Sequence, residues 1–458
     1  MKNKPEKFNF KNGNENLTSL SGLALVGTVL AGSGIRGKLN DVVLPDMPSP
    51  VIPHSDVLLS MIGTVCSGKT CYDDVERFRE DEFFKNALGI ATVPSSTALR
   101  ERIGAAKGAF DEVLKTQTAE FIKKECSLET ILAVEKQYVP LDIDVTPMDN
   151  SKTNKEGVSR TYKGYFGFAP IMAYLGKNGY WINTEFREGK QHCQNGTPEF
   201  LKETLKLAKS ATDSEILVRL DSGNDAAENF VIMNDAGVKW ICKLNPRKGG
   251  KQRWLKIVEN LVEPVVLRKG KVKYTGATVK TIDKSGQEMV VVFDVTVTSS
   301  LDGQLLAVPD VEVDLYGTNL IGTKEDISVG FSEEIIELYH AHGESEQFHS
   351  EIKTDLDLER LPSNSFQSNS LVLLLGMWAY NVLRLIGLDG VVESIHASDG
   401  TMSRDRKKVT RRRLRTVLLD VIYLAGRIIR SGRSWWISFG RYQKAADGFS
   451  IFYEKFGT

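Results

Sequence analysis

The feature that most limits how this chain can fold is a change of hydrophobic period at Tyr138. Before it, apolar residues recur at helical spacing in His54–Cys66, Asp73–Leu88 and Pro94–Lys124. After it, Tyr138–Val145 alternates and is closed by Pro147, as a strand should be. Thr161–Tyr174 and Tyr180–Phe186 read as two further strands around glycine turns. A helix at Thr197–Lys209, a strand at Glu215–Leu220, a helix at Asp225–Asp235 and a strand at Val238–Leu244 complete the series. Three strands, helix, strand, helix, strand specifies one mixed sheet with helices packed on it.

That order is the one expected of a ribonuclease H-like core, and the fold class read from it is α+β. A chain of 458 residues is too long for a single core, so several regions are expected. They are a helical N-terminal domain over 1–135, the first part of the core over 136–249 and an all-β insertion over 250–330. The second part of the core follows over 331–390, then a basic helical C-terminal region over 391–458. The insertion is read from three β-rich runs separated by Asp-Lys-Ser-Gly and Leu-Asp-Gly turns.

Charge balances at 59 basic and 59 acidic residues, so the total names no partner. The local distribution is uneven. Arg404, Arg406, Lys407, Lys408, Arg411, Arg412, Arg413 and Arg415 crowd one segment against Asp405 alone, which suits a phosphate backbone. Arg427, Arg430, Arg433, Trp435 and Trp436 extend it with aromatic groups that could stack on bases. Five scattered cysteines form no zinc spacing and read as reduced thiols. The apolar stretches Leu20–Ala31 and Leu371–Ile386 read as buried elements rather than a secretory leader or a membrane span. Gly63–Thr70 matches the phosphate-binding G-x-x-x-x-G-K-[ST] pattern, but a helix-like segment stands where that motif needs a strand. No nucleotide cofactor is expected.

Three acidic residues stand where metal chemistry can be done. Asp144 lies near the end of one strand, Asp221 directly after another, and Glu346 on the helix expected over Ser332–Thr354. Carboxylates gathered from such places can hold two magnesium ions, roughly 3.5–4 Å apart, for work on a phosphodiester. Asp142 shares a strand face with Asp144 and is a rival to it; Asp225 and Glu344 are lesser rivals at the other positions. Tyr339, Glu346 and Lys353 recur every seven residues and fall on one helical stripe.

Tyr339-x2-His342-x3-Glu346-x6-Lys353 resembles the Y-x2-R-x3-E-x6-K signature of bacterial insertion-sequence transposases of the DDE superfamily. Asp144-Val-Thr146 and Arg219-Leu-Asp221-Ser-Gly resemble their first and second acidic motifs. Tyr162-Lys163-Gly164-Tyr165, Phe186-Arg187-x-Gly189, Phe78-Arg79-x-Asp81 and Pro94–Thr97 resemble further segments, so the likeness runs from about residue 50 to residue 440. The departure is His342, at the arginine position of the signature. The resemblance implies cut-and-paste transposition at inverted-repeat ends, catalysed by Asp144, Asp221 and Glu346 with two Mg2+ ions, or Mn2+ in their place. It implies double-stranded DNA as partner, both transposon ends and target, and a homodimer in the synaptic complex. Tyr339, His342, Lys353, Lys163, Arg187, Arg411, Arg412, Arg413 and Arg415 are the expected DNA contacts. The implied setting is the bacterial cytoplasm, at the nucleoid, with no membrane partner. The alternative is a transposase-derived DNA-binding protein without catalysis.

Overall fold

The computed structural model describes residues 7–47, 49–247, 250–283, 285–301, 304–322, 327–389, 411–441 and 445–457. The N-terminal third is helical, with α1 (Leu23–Gly32), α2 (His54–Cys66), α3 (Ser96–Ala106) and α4 (Asp111–Glu125). The expected helix over Pro94–Lys124 is interrupted because Lys107 and Gly108 turn left-handed. Asp73–Leu88 divides as well, into a 3-10 turn and a short helix started by the Asp81 carboxylate, which accepts from the Phe84 amide. Gly63 of the phosphate-loop look-alike sits inside buried α2, with no strand before it.

The strands of the central sheet are β1 (Lys136–Val145), β2 (Ile171–Leu175), β3 (Tyr180–Glu185), β4 (Ile216–Leu220) and β5 (Lys239–Leu244). β1, β2 and β3 are antiparallel neighbours, and β4 and β5 add in parallel on the other side of β1. The connections run through α5 (Thr197–Ala211) and α6 (Ala227–Asp235). α5 begins at left-handed Gly196 followed by Pro198, and buries Phe200, Leu201, Leu205 and Ala208 along one face. This is the ribonuclease H-like core that the pattern predicted. The run Thr161–Tyr174 proved discontinuous: a side sheet of Met148–Asp149, Ser159–Arg160 and Phe166–Phe168 precedes β2.

The insertion departs from expectation in two ways. It opens with a helix, α7 (Gly250–Val258), so it is not all-β. Its strands β6 (Val265–Arg268), β7 (Lys271–Thr281), β8 (Glu288–Leu301) and β9 (Gln304–Thr318) also form no separate sheet. β9 pairs antiparallel with β5 from Ile241↔Thr318 to Leu244↔Leu315, so the sheet order is β6-β7-β8-β9-β5-β4-β1-β2-β3.

After the insertion, α8 (Phe331–His340) packs Phe331 and Ile335 against Leu217, Ile241, Val292 and Tyr316, spanning core and insertion. The single helix expected over 332–354 is bent. A 3-10 turn at Ala341–Glu344, α9 (Ser345–Ser350) and a π turn at Glu351–Asp355 follow in sequence. α10 (Phe366–Leu388) is long and apolar enough to cross a membrane, yet 94% of its apolar window is buried in the protein. Its Asn381 both donates to the carbonyl and accepts from the amide of Trp181, closing the edge strand β3. Helices α2 and α10 pack together, so the N-terminal helices share one core with the central sheet.

The C-terminal region is not wholly helical. Gly426–Ser431 and Ser434–Phe439 pair as a hairpin about Gly432, and Gly426 and Arg427 pair with Thr18 and Leu17. Arg404, Arg406, Lys407 and Lys408 lie outside the described residues.

Candidate functional site

The parallel pairing of β1 and β4 places Ile143 opposite Leu220, so Asp144 and Asp221 leave the sheet side by side. Among the described residues neither carboxylate is paired with a lysine or an arginine, and the nearest basic charge acting on both is His342. Asp144 Oδ1 accepts from the Val145 amide at 2.7 Å. Asp221 Oδ1 accepts from Asn224 Nδ2 at 2.6 Å and from the Gly223 amide at 3.2 Å. Burial, the charge of Asp221 and a smaller contribution from Glu346 push the Asp144 carboxyl up to about 6. Burial raises Asp221 also, opposed by His342 and its local hydrogen bonds.

Glu346 is exposed on α9. Its helix is brought close to the sheet at Phe348, which lies against the β2–β3 turn. Gly179 there has φ +73°, and a Cβ on it would stand 2.2 Å from the Phe348 ring. Among the described residues no three His, Cys, Asp or Glu side chains converge on one point at ligand distance. Asp144 and Asp221 form the close pair, and Glu346 acts on Asp144 through its field.

The rivals to these residues are otherwise engaged. Asp142 is buried and clamped by Arg219, with Nε–Oδ1 at 2.6 Å and Nη2–Oδ2 at 2.7 Å. Burial opposes its charge, but Arg219 and His342 outweigh that and hold its carboxyl below the usual range. Asp225 accepts from the Asn245 amide at 2.9 Å and pairs with Arg247. Glu344 is exposed within the 3-10 turn.

Of the expected DNA contacts, Tyr339, His342, Lys353 and Lys163 gather at this site. Tyr339 is half-buried between the Tyr316 and His342 rings. His342 is only 6% exposed and points inward, Nδ1 lying 3.1 Å from Asp142 Oδ1, so a phosphate contact at its ring does not fit. Burial disfavours its charge, yet Asp142 and then Asp144 more than offset this and raise its pKa. Lys353 donates to the Pro147 carbonyl, and burial lowers its pKa. Lys163 is exposed on a neighbouring turn, where its charge also depresses Lys353. Beside it the Tyr162 ring is 69% exposed, with its hydroxyl raised to about 12 by burial and by Asp144 and Asp221.

Three expectations fail on burial or pairing. Arg187 is 1% exposed and donates to Glu185, the Cys193 carbonyl and Thr197, which fixes the loop before α5 instead of reaching outward. Arg411 pairs with Glu351 and Arg413 with Asp355, so both guanidinium groups are committed to the helix that follows Glu346. Arg412 is half-buried and offers its backbone carbonyl to Arg384. Arg415 remains exposed, with its amide on Asp355.

One site residue was missed from the sequence. His349 is buried, its Nδ1 stands 3.7 Å from Asp144 Oδ2, and burial followed by Lys353 lowers its pKa to about 3. It follows Glu346 by three positions, one helical turn, and that spacing was the available signal.

A carboxylate pair at the ends of adjacent parallel strands, with a third acid on a nearby helix and cationic groups at the rim, can bind cations and phosphates together. The family described as transposase DDE domain group 1 matches residues 2–456. No curated protein matches the chain. Among solved structures it is similar to a piggyBac transposase synaptic complex with hairpin DNA, determined by cryo-EM, at 10% identity and a TM-score of 0.40. That likeness covers 88% of this chain and 80% of the other. On the match across almost its whole length, the chain belongs to the DDE transposases.

Proposed function

We propose that this transposase cuts DNA at the inverted-repeat ends of an insertion sequence and joins the freed ends to a target. Asp144, Asp221 and Glu346 are its catalytic carboxylates and would hold two divalent ions, Mg2+ by preference and Mn2+ in substitution. The observation that carries this reading is the burial of Asp144 and Asp221 side by side at the ends of paired strands, where the charge of Asp221 raises the Asp144 carboxyl further. Two carboxylates buried side by side are costly to ionise even with His342 nearby, and a divalent cation supplies further counter-charge. When bound, such ions activate the attacking oxygen and stabilise the leaving oxygen of a phosphodiester.

The chain's own groups do the rest. Val145 holds one oxygen of Asp144, whose other oxygen faces His349 Nδ1, and the Gly223–Asn224 turn holds one oxygen of Asp221. Lys163 and Lys353 place positive charge beside the carboxylates, where a phosphate of the cut strand would lie. The exposed ring of Tyr162 offers a stacking surface at the same rim. Further away, Arg427, Arg430 and Arg433 on the C-terminal hairpin, with exposed Trp435 and Trp436, would track the duplex backbone. Holding two ends together calls for at least two copies of the chain.

The test is cleavage of the DNA that flanks the gene, in Mg2+, by the parent, Asp221→Asn and Lys69→Ala. Cleavage by the parent and Lys69→Ala, and none by Asp221→Asn, is expected. Equal cleavage by Asp221→Asn would overturn the assignment.

A further inference from the structure

We infer that Asp142 and Arg219 are positioning residues, a buried strap that sets where Glu346 stands relative to Asp144 and Asp221; this rests on the catalytic reading above. The two residues are direct partners in the parallel register of β1 and β4. Each lies two positions before a catalytic aspartate, so all four side chains share one face of the sheet. Their exposures are 3% and 2%, and the guanidinium fork meets the carboxylate through two of its three nitrogens.

The third nitrogen explains the arrangement. Arg219 Nη1 donates at 2.9 Å to the carbonyl of Leu338, in the last turn of α8. Carbonyls there lose their helical partners as the chain tightens into the 3-10 turn. Asp142 meets the same stretch a second time, through His342 Nδ1 at 3.1 Å. A pair rooted on both aspartate-bearing strands thus grips the helical segment at Leu338 and at His342. Those points are two turns and one turn ahead of Glu346.

Stability alone does not account for the pair. A buried ion pair is commonly matched or bettered by apolar residues of equal size. Apolar residues cannot supply the directed bond to Leu338 or the contact to His342. What they would lose is the placement of the helix, hence of its carboxylate.

The decisive variant replaces both charges at once, Asp142→Leu with Arg219→Met, so that neither is left buried without the other, and His342 loses the group that most favours its charge. Three properties are read: thermal melting without metal, affinity for the flanking DNA, and Mn2+ binding followed by electron paramagnetic resonance. The variant is expected to melt and to bind DNA like the parent. Its Mn2+ half-saturation should rise by about 10-fold or more, with kcat for cleavage falling at unchanged KM. Parental Mn2+ binding and cleavage in this variant would overturn the strap. Should the double variant fail to fold, Arg219→Lys keeps the charge but not the fork. It faces the same measurements, and parental behaviour again overturns the proposal. Asp221→Asn run alongside separates the two readings. If it binds Mn2+ and cleaves normally, the catalytic assignment fails; if it is dead while the strap variant is normal, only the strap fails.

Discussion

The two ends of the bent helix that carries Glu346 are treated in opposite ways. Toward the sheet, Asp144 and Asp221 are buried side by side with no lysine or arginine paired to them among the described residues, and burial drives His349 beside Asp144 to stay neutral. Toward the C-terminus, buried Glu351 is shared by Arg384 and Arg411, and Asp355 is taken by Arg413. The same short segment therefore meets an electrostatically incomplete region and a complete one. The complete side anchors the helix through its π turn, a kind of irregularity that often accompanies function. The incomplete side keeps charge available for a ligand at some cost in stability.

The largest predicted effect is on the complete side. Glu351→Ala leaves Arg384, 1% exposed, without its carboxylate and should destabilise the protein by about 3–5 kcal/mol in urea unfolding. A loss under about 1 kcal/mol would erase the contrast. On the incomplete side the sign reverses. The folded Asp144 carboxyl titrates near 6, above its ordinary value, so ionising it costs stability. The cost grows as pH rises from about 4 to 6 and is fully present above that. Asp144→Asn should therefore be more stable than the metal-free parent at pH 8, by about 3 kcal/mol, and nearly match it at pH 4. Added Mn2+ should stabilise the parent and not the variant. A variant less stable at pH 8 than the parent would refute the repulsion.

Smaller effects sharpen the comparison. Arg413 is half-exposed but its partner Asp355 is fully buried, so Arg413→Ala should cost about 1–2 kcal/mol. Arg433 belongs to neither region, standing exposed at the turn of the hairpin. Arg433→Ala should change stability by less than about 0.5 kcal/mol. It should weaken DNA binding uniformly across sequences and lower the salt slope by about 1. An unchanged slope would remove the hairpin from the DNA-binding surface.

What the sequence made legible follows from how local each signal is. The core strands were visible because β2 and β4 bury every side chain and β1 buries Tyr138–Ile143, each segment being bounded by turns. Asp142 and Asp144 could not be separated, since both share a face. The difference lies on another strand, where Arg219 meets Asp142. The bend at Ala341–Glu344 was hidden because the heptad of Tyr339, Glu346 and Lys353 continues through it. The basic C-terminal segment misled for a similar reason. Composition shows many arginines, but Glu351 and Asp355, which occupy Arg411 and Arg413, are 60 and 58 positions away. The hairpin at Gly426–Phe439 did carry a signal, a Ser-Gly pair between two apolar stretches, masked by the surrounding helix-like pattern.

The insertion's attachment to β5 has a mechanical consequence. Only Leu315–Thr318 of β9 is bonded to β5, while Gln304–Asp314 runs on for roughly 35 Å beyond that root. Such a blade is a cantilever with a short clamp. Its clamp lies beneath α8, whose Phe331 and Ile335 rest on Val290, Val292 and Tyr316. Leverage applied far out on the blade is shared at its root by α7, which packs on β9, and by α8, and through α8 it reaches the segment that bears Glu346.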